Sequence, residues 1–307
     1  MTDNFIDFDE EIIDGVAREK VLIIDGHNLA FKTVFSAISH DPNDNGPFRL
    51  WMTYMFNNLF SLVKTHEPDK IIWAFDQKGS WRYSIYPEYK GHRKAQRSKS
   101  KLKHKEFYEA MDRFMVSVEN AFSNMYVISL KGAEADDTIA VLSKYAFKYD
   151  EVIIVSNDGD MHQLISQNVN QYDMSSQKMV ECLNPKRELE LKILTGDSSD
   201  NIKGVRKGVG IKTAEKILDM GLEEFMDSLE LGNLEKKVVH ENFERNTKLI
   251  DFEYIPAEVK NEIMRIYDNY DIKDVEFKIV FKMFVRNKLP KMIDDWNSVS
   301  SLIKKLK

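Results

Sequence analysis

The chain has 307 residues, 43% of them hydrophobic, and a formal net charge of −6. This length is enough to bury a sizeable core in one large domain or two smaller ones. No run approaches the roughly 18 apolar residues that cross a bilayer, and no basic segment followed by an apolar stretch marks a secretory signal. The single cysteine, Cys182, excludes an internal disulfide framework and a Cys-rich zinc site. These features predict a cytoplasmic protein that does not bind a membrane.

The chain opens with an acidic, partly apolar tail over residues 1–19. Short apolar runs rich in β-branched residues follow it and predict buried strands. Three of these runs end in an acidic residue and a fourth is a weaker candidate: Val21–Asp25, Lys70–Asp76, Glu151–Asp158 and, as the weaker one, Met125–Leu130. Helical patterns occupy three further segments: Phe48–His66, Phe107–Phe122 and Glu134–Tyr149. Strands that alternate with helices predict an α/β fold with a mostly parallel central sheet and flanking helices.

The character of the chain changes near Pro185. Strand signals fade beyond this residue, and helical periodicity dominates as far as Lys307. We therefore predict an acidic tail over 1–19, an α/β domain over 20–185 and a helical domain over 186–307. A basic segment at about residues 80–110 belongs to the α/β domain, and the sequence contains no internal repeat.

Acidic residues cluster at the predicted strand ends. The carboxyl ends of parallel strands meet at one edge of a sheet, where ligands bind, so Asp25, Asp76 and Asp158 should converge there. Further acids follow shortly after a strand, at the start of a predicted helix and in a later loop: Asp160, Glu134, Asp136, Asp137, Asp197 and Asp200. Any one of them can be a turn residue or a helix cap. Their combination instead predicts a cation site.

Several carboxylates held together need cations or bound protons, because two of them about 4 Å apart repel by about 4 kcal/mol at an effective dielectric near 20. Oxygen ligands without His or Cys favour Mg²⁺ or Mn²⁺ over zinc. Two such ions about 3.5–4 Å apart are a known solution for phosphodiester cleavage. The acid cluster therefore predicts metal-dependent phosphodiester hydrolysis.

A basic strip contrasts with the acidic average of the chain. Eight Lys and Arg residues and no acid lie between Tyr89 and Lys105, in the segment that follows Asp76. The net negative charge alone argues against a nucleic-acid partner, but aromatic residues beside a basic run suit base stacking next to phosphate contacts. Lys90 and Arg93 are candidates to offset charge on a scissile phosphate. The alternative is a solvated, mobile charged loop or a localisation patch.

A glycine hairpin follows at residues 204–214, which read GVRKGVGIKTA. It is not a Walker A loop, because no Gly-x₄-Gly-Lys-Ser/Thr pattern fits it. It fits a turn between two helices, whose backbone N–H groups would hold a phosphate without reading sequence. The candidate residues are Gly208, Gly210, Lys212 and Thr213. The alternative is a glycine-containing corner that only packs.

Together these motifs resemble the structure-specific 5′-nuclease, or flap endonuclease, family. The matching stretches occur in the family's order over roughly residues 20–220: LIIDGHNLAF, WAFDQKGSWRYSIYPEYKGHRK, GAEADD, IVSNDGDMHQL, and LTGDSSDNIKGV with the glycine hairpin. The later stretch LIDFEYIPAEVKNEIMRIYDNY is similar to the T-even bacteriophage ribonuclease H subgroup of stand-alone 5′-nucleases.

The resemblance implies a PIN-like sheet with an acid-lined groove, a helical arch above it, and a helix–hairpin–helix module that holds duplex. It implies two Mg²⁺ ions, replaceable by Mn²⁺, in a cluster of carboxylates: Asp25, Asp76, Glu134, Asp136, Asp158 and Asp160, completed by Asp137, Asp197 and Asp200. It also implies groups that contact the nucleic acid: Arg82, Lys90 and Arg93 near the scissile phosphate, with Tyr89, Lys94 and Arg97 in the same strip.

The activity implied by the resemblance is 5′ to 3′ exonuclease and flap endonuclease cleavage with ribonuclease H activity. Its substrates would be forked or flapped duplex DNA and RNA–DNA hybrids, and its role would be removal of RNA primers during lagging-strand replication. The hairpin departs from the family's Gly-Val-x-Gly-Val-Gly pattern, because Arg206 and Lys207 both follow Gly204-Val205. A monovalent-ion site at this hairpin is therefore not predicted.

Other partners and functions compete with parts of this interpretation. Phe5, Ile6 and Phe8 of the acidic tail are candidates to dock on a sliding clamp, with a single-stranded-DNA-binding protein as a further partner; a frayed or self-packed terminus is the alternative. A non-catalytic protein that binds forked DNA on a nuclease fold is a second function, although every expected acid is present. A third is an RNase specific for single-stranded RNA, although such chains are usually shorter and lack the hairpin.

Overall fold

The computed structural model describes residues 18–148, 150–271 and 276–304, apart from the side chains of Lys94 and Gln96. Most of the predicted acidic tail, with Phe5, Ile6 and Phe8, therefore lies outside the described residues. Within the described ranges, no helix combines the length and apolar character needed to cross a membrane.

A central sheet of six strands organises the described chain. The strands are β1 (Lys20–Asp25), β2 (Lys70–Ala74), β3 (Met125–Ile128), β4 (Glu151–Val155), β5 (Val169–Asp173) and β6 (Lys178–Met179). Their order across the sheet is β3-β2-β1-β4-β5-β6, and all neighbouring pairs are parallel except β5 and β6. A separate antiparallel ribbon consists of β7 (Gly196–Asp197) and β8 (Ile202–Lys203). The predicted α/β fold with a mostly parallel sheet is confirmed.

Helices flank this sheet and form most of the second half of the chain. The first set is α1 (Gly26–His40), α2 (Arg49–His66), α3 (Arg82–Ile85), α4 (Arg93–Lys99), α5 (His104–Ala121) and α6 (Ala135–Val141). The second set is α7 (Pro185–Thr195), α8 (Ile211–Met220), α9 (Leu222–Ser228), α10 (Asn233–Ile250), α11 (Ala257–Asp268), α12 (Phe277–Arg286), α13 (Pro290–Asp294) and α14 (Trp296–Lys304). A π-helical turn over Leu142–Ala146 continues α6, and 3₁₀ turns cover Pro42–Asp44, Gly159–Leu164 and Phe252–Tyr254.

Strand β1 is buried on both faces because helices cover both sides of the sheet. Its residues Val21, Leu22, Ile23 and Ile24 are all fully buried, which explains why the strand is a continuous apolar run instead of an alternating pattern. Leu22 and Ile24 pack in a core with α1, α2 and α5, whereas Val21 and Ile23 pack in a second core with α6.

The helices beyond residue 185 do not form one separate domain, and the predicted division there needs correction. Helices α8 and α9 share an apolar cluster that contains Ile217 and Met226. In contrast, α11 adds Ile263 to the α6 side of the sheet. Helix α12 places Phe284 against Phe56 of α2, with ring centroids 5.2 Å apart. Helical periodicity in a sequence shows that one face of the helix is buried. It does not identify the part of the protein against which that face packs.

Candidate active site

Three aspartates meet at the carboxyl edge of the sheet, after β1, β2 and β4. Asp25 is 5% exposed and caps α1, accepting a hydrogen bond from the backbone N–H of Asn28 at 3.0 Å. Asp76 accepts one from the backbone N–H of Ala135 at 2.8 Å. This bond ties the end of β2 to the start of α6, which delivers further acids to the same place. Asp158 completes the group and caps the 3₁₀ turn after β4.

Burial and mutual repulsion raise the pKa values of these carboxyl groups. The pKa of Asp25 is raised to about 7, because burial removes water from its carboxylate and Asp76 and Asp158 add negative charge nearby. The pKa of Asp136, half-buried in the first turn of α6, is raised well above its usual range by burial and by the charges of Asp25 and Asp158. Burial also raises the pKa of Asp158. A divalent cation would relieve this accumulation of negative charge.

A second group of carboxylates comes from the 3₁₀ turn after β4 and from the β7–β8 ribbon. Asp160, Asp197 and Asp200 place carboxylate oxygens within 4.8 Å of one another. The Nζ atom of Lys192, on α7, contacts Asp160 and lies 2.9 Å from Asp197. Lys192 is not among the predicted site residues, and its only sequence signal is its place on the helix that leads into Asp197.

Asn246 fixes the ribbon that carries two of these acids. This side chain is fully buried, and its amide donates hydrogen bonds to the backbone oxygens of Ile193 at 2.8 Å and Lys203 at 2.9 Å. It therefore joins both ends of the segment that contains Asp197 and Asp200 to α10. No local sequence signal identifies such a residue, because its partners are backbone atoms far away in the chain.

The start of the basic strip lies against the acids. Nζ of Lys90 donates to Glu134 at 2.5 Å and lies 3.6 Å from Asp200. The guanidinium of Arg93 donates to the other oxygen of Asp200 at 2.7 Å. The backbone N–H of Lys90, a residue with φ of 52°, donates to the Asp200 carbonyl oxygen at 2.8 Å. The strip is thus attached to the ribbon, and its positive charges partly neutralise both acid groups.

The outer part of the strip is helix α4. Arg97 lies on this helix, with its guanidinium carbon 5.9 Å from the ring centroid of Tyr108. The side chain of Lys94, which was predicted to contact nucleic acid, lies outside the described residues. The strip is therefore helical over Arg93–Lys99, and the alternative of a charged loop does not hold there.

The glycine hairpin forms the turn into α8. Gly208 has a φ of +88°, a conformation that favours glycine. Gly210 precedes the helix, and Lys212 and Thr213 lie in its first turn. A Cβ atom added at either glycine would meet nothing within 4 Å, so the turn presents an open surface.

Sequence comparison decides which family this geometry represents. The family model described as "5′-3′ exonuclease, N-terminal resolvase-like domain" matches residues 20–197. The chain belongs to this 5′-nuclease family. The match spans the whole parallel part of the sheet and reaches Asp197 of the second acid group, and it confirms the predicted family resemblance.

Relatives of this 5′-nuclease include stand-alone enzymes. A 5′-3′ exonuclease of Mycoplasmopsis pulmonis is 31% identical over 235 residues, which cover 73% of this chain and 74% of the relative. Flap endonuclease Xni of Shewanella baltica is 30% identical over 211 residues, or 65% of this chain and 74% of the relative. DNA polymerase I of Bacillus subtilis is 30% identical over 229 residues, which are only 25% of that longer protein.

Solved structures share the fold of the 5′-nuclease. The bacteriophage T5 flap endonuclease, in a pseudo-enzyme-product complex with DNA and metal ions, aligns with a TM-score of 0.62 at 22% identity over 88% of this chain and 99% of its own. The T5 5′-exonuclease with bound zinc aligns with a TM-score of 0.60 at 22% identity over 80% of this chain and 97% of its own. The similarity extends over most of the helical second half as well as the sheet.

Asp137 of the 5′-nuclease does not face the acid groups, and its predicted role as a metal ligand needs correction. It is fully buried and accepts hydrogen bonds from Trp81 Nε1 at 3.1 Å and from the Glu134 backbone N–H at 2.9 Å. It also pairs with the guanidinium of Arg82 at 2.9 Å. Successive helical residues are turned by about 100°, so Asp136 faces the acids while Asp137 faces the interior.

Arg82 and Tyr89 are also interior groups, which corrects their predicted contacts with phosphate and bases. Each is 2% exposed. Arg82 Nε donates to the Leu249 carbonyl oxygen at 2.9 Å, and its guanidinium pairs with Glu134 at 3.3 Å. The Tyr89 hydroxyl lies 2.7 Å from carboxylate oxygens of both Glu134 and Asp200. Both residues position these acids instead of touching nucleic acid.

The raised pKa of Asp25 predicts that the metal-free 5′-nuclease loses stability as the pH rises. The unfolded chain releases this proton near its ordinary pKa of 3.8, whereas the folded protein retains it up to about 7. The native state binds more protons between these values, so each rise in pH favours unfolding. The destabilisation reaches at most about 4 kcal/mol above pH 7.

Urea unfolding in EDTA at about pH 5 and about pH 8 measures this effect. Asp25→Asn removes the titrating group, so we expect the wild-type protein to lose more stability between the two pH values than the variant does. Equal losses in the two proteins would show that Asp25 is already ionised in the fold at the lower pH.

Proposed function

We propose that this 5′-nuclease hydrolyses phosphodiester bonds at 5′ ends and 5′ flaps of DNA duplexes and RNA–DNA hybrids, with Mg²⁺ or in its place Mn²⁺. Its role would be removal of RNA primers during lagging-strand replication, as in the T-even bacteriophage ribonuclease H subgroup that it resembles. The observation that carries the proposal is the meeting of two carboxylate groups directly beneath a basic strip. In such a site the carboxylates neutralise divalent cations on one side, and the basic residues neutralise the charge of a phosphate on the other.

The donor set fits two hard divalent ions, because it offers oxygen atoms alone. The residues that would hold them are Asp25, Asp76, Glu134, Asp136 and Asp158 in the first group, and Asp160, Asp197 and Asp200 in the second. Lys90 and Lys192 lie among these carboxylates and offset only part of their negative charge. Burial, together with the charges of Asp76 and Asp158, raises the pKa of Asp25. When bound, such ions stabilise charge on phosphate oxygens and lower the pKa of coordinated water.

Lys90 and Arg93 would bind the scissile phosphate. In this structure they pair with Glu134 and Asp200 at the rim of the acid groups. Once those carboxylates are neutralised, both side chains are available to donate to the non-bridging phosphate oxygens. Fixed cationic donors beside developing negative charge stabilise the transition state without reorganisation.

The hairpin and the outer strip would hold the duplex away from the reacting bond. Gly208, Gly210, Lys212 and Thr213 lie at the N-terminus of α8, where backbone N–H groups and the helix dipole attract phosphate. Arg97 of α4 adds positive charge along the path of the strand. Lys94 remains a proposed contact on the basis of the sequence alone. These contacts are to the backbone of the nucleic acid, so cleavage would depend on its shape instead of its base sequence.

The test is cleavage of a 5′-labelled flap duplex and of a matching RNA–DNA hybrid, each with Mg²⁺ or with EDTA. We expect Mg²⁺-dependent release of short 5′ products from both. Lys90→Ala should lower the rate at least about 100-fold with little loss of duplex binding. Lys99→Ala is the matched control, because this lysine is exposed at the far end of α4, and it should affect binding more than rate.

Two outcomes would support the competing functions. Tight binding of forked duplex without cleavage in Mg²⁺ or Mn²⁺ would identify a non-catalytic DNA-binding protein. Faster cleavage of unstructured RNA than of either duplex would identify an RNase specific for single-stranded RNA. The ratio of rates on the flap and the hybrid determines which substrate dominates if the proposal holds.

We further propose that the acidic tail docks on a sliding clamp through Phe5, Ile6 and Phe8, and that a single-stranded-DNA-binding protein is a second partner. These tail residues lie outside the described part of the chain. The proposal rests on apolar side chains among acids in a segment that precedes the fold. Deletion of residues 1–9 that leaves clamp-stimulated cleavage unchanged would contradict it.

A further inference from the structure

A second cluster of potential metal ligands lies on the other side of the turn that carries Asp160. His162, Cys182 and Glu188 each place one donor atom within 4.8 Å of the other two. The imidazole Nδ1 of His162 lies 2.5 Å from a carboxylate oxygen of Glu188, and the Cys182 sulfur lies within 4.8 Å of a donor atom of each of them. None of the three has a part in the cleavage chemistry proposed above.

The three ligands come from three different parts of the fold. His162 lies on the 3₁₀ turn after β4, Cys182 on the segment after β6, and Glu188 in the first half of α7. A cation held here would therefore join elements that are otherwise held together by packing, hydrogen bonds and the Lys192–Asp160 ion pair. The side chains of His162 and Glu188 are 26% and 47% exposed, so the cluster is open to solvent on one side.

We propose that His162, Cys182 and Glu188 form a transition-metal site of the Zn²⁺ class, distinct from the carboxylate-only site for Mg²⁺. A thiolate and an imidazole are ligands that Zn²⁺ binds well and Mg²⁺ does not. Three protein ligands with one open, solvent-facing position are a common zinc arrangement. Binding requires only that the thiol and imidazole release their protons to solvent, with no change in oxidation state.

The position of the site gives it a structural consequence for the nuclease. His162 follows Asp160 by two positions on the same turn, and Glu188 precedes Lys192 by one helical turn on α7. A cation shared by His162 and Glu188 would hold together the two elements that bring Lys192 onto Asp160. The Zn²⁺-class site would thus stabilise one wall of the active site without supplying any reacting group.

The test is titration of the reduced, full-length protein with Co²⁺, which reports thiolate ligation by a charge-transfer absorption band. Cys182 is the only cysteine in the chain, so the band reports this site and is silent for the carboxylate groups. With excess Mg²⁺ present to occupy the carboxylate groups, we expect a band that saturates with Co²⁺ and is displaced by Zn²⁺ but not by more Mg²⁺. Cys182→Ser should abolish it, and His162→Gln should weaken Co²⁺ binding at least about 100-fold, since even outer partners of a metal site contribute 10–100-fold.

Three variants separate this proposal from the proposed nuclease activity. Leu183→Ala alters a fully exposed neighbour of the cysteine and should keep the band, while Cys182→Ser should keep Mg²⁺-dependent flap cleavage. Asp136→Asn should keep the band although it disables the carboxylate site. Absence of the band in the folded wild-type protein, or a band of equal strength in His162→Gln, would show that the three side chains form only a hydrogen-bonded contact.

Discussion

Asp136→Asn is expected to abolish flap cleavage while binding of flapped duplex largely survives. Asp136 lies at the centre of the first acid group, where the charges of Asp25, Asp158 and Glu134 all act on it. Its loss weakens the hold on divalent ions, which contribute several kcal/mol of transition-state stabilisation. Each 1.4 kcal/mol is tenfold in rate, so we expect cleavage to fall at least about 1000-fold.

The measurement is single-turnover cleavage of a labelled flap duplex in Mg²⁺, together with binding of the same duplex in Ca²⁺. Asp173→Asn is the matched control, because Asp173 also ends a parallel strand but pairs with Lys32 on another part of the sheet edge. It should cleave at close to the wild-type rate. Cleavage by Asp136→Asn at the wild-type rate would exclude Asp136 from the metal cluster.

Asp137→Ala is expected to lower the free energy of unfolding by about 3–5 kcal/mol, the usual effect of breaking a buried ion pair. The change leaves the buried guanidinium of Arg82 with Glu134 as its remaining ion-pair partner. It also removes the acceptor for Trp81 Nε1 and one half of the capping box at the start of α6. The loss should be equal with and without Mg²⁺.

Urea unfolding in EDTA and in Mg²⁺ measures this change. Glu262→Ala is the control, because it breaks an exposed ion pair with Arg265, and it should leave the unfolding midpoint close to that of the wild type. Replacing both partners, in Arg82→Met with Asp137→Leu, should recover part of the stability, since no unpaired buried charge remains. A loss of stability that appears only in the presence of Mg²⁺ would instead show that Asp137 is a metal ligand.

The adjacent residues Asp136 and Asp137 illustrate which parts of the site can be predicted from sequence and which cannot. The acids after β1, β2 and β4 could be placed together because strand direction fixes where strand ends meet. Asp136 and Asp137 could not be separated, since their roles depend on the rotation of α6 about its own axis. Arg82 and Tyr89 lie in a segment whose composition indicates contact with nucleic acid. In the structure they are buried beside the acids and position them instead. Lys192 and Asn246 act on elements distant in sequence and carry no local signal.

The fold was likewise predictable only in part. Strands β1, β2 and β4 are continuous apolar runs, and such runs occur where both faces of a sheet are covered. Strand β5 was missed because Asn170 and Gln171 interrupt its apolar pattern; the amide of Gln171 donates to the backbone oxygens of Ser156 and Asp158. The packing of α11 and α12 onto the sheet also was not predictable, because an amphipathic stripe does not identify its partner.

The packing of Phe284 against Phe56 has a consequence for synthesis of the protein on the ribosome. Helix α12 completes the aromatic core between α2 and α5, although it is made long after both of them. Chains grow at about 5–20 residues per second, so the apolar surface of α2 and α5 stays uncovered for many seconds while the intervening helices are made. Transiently exposed apolar surface of this kind favours aggregation, so we expect the nascent chain to need chaperones during that interval.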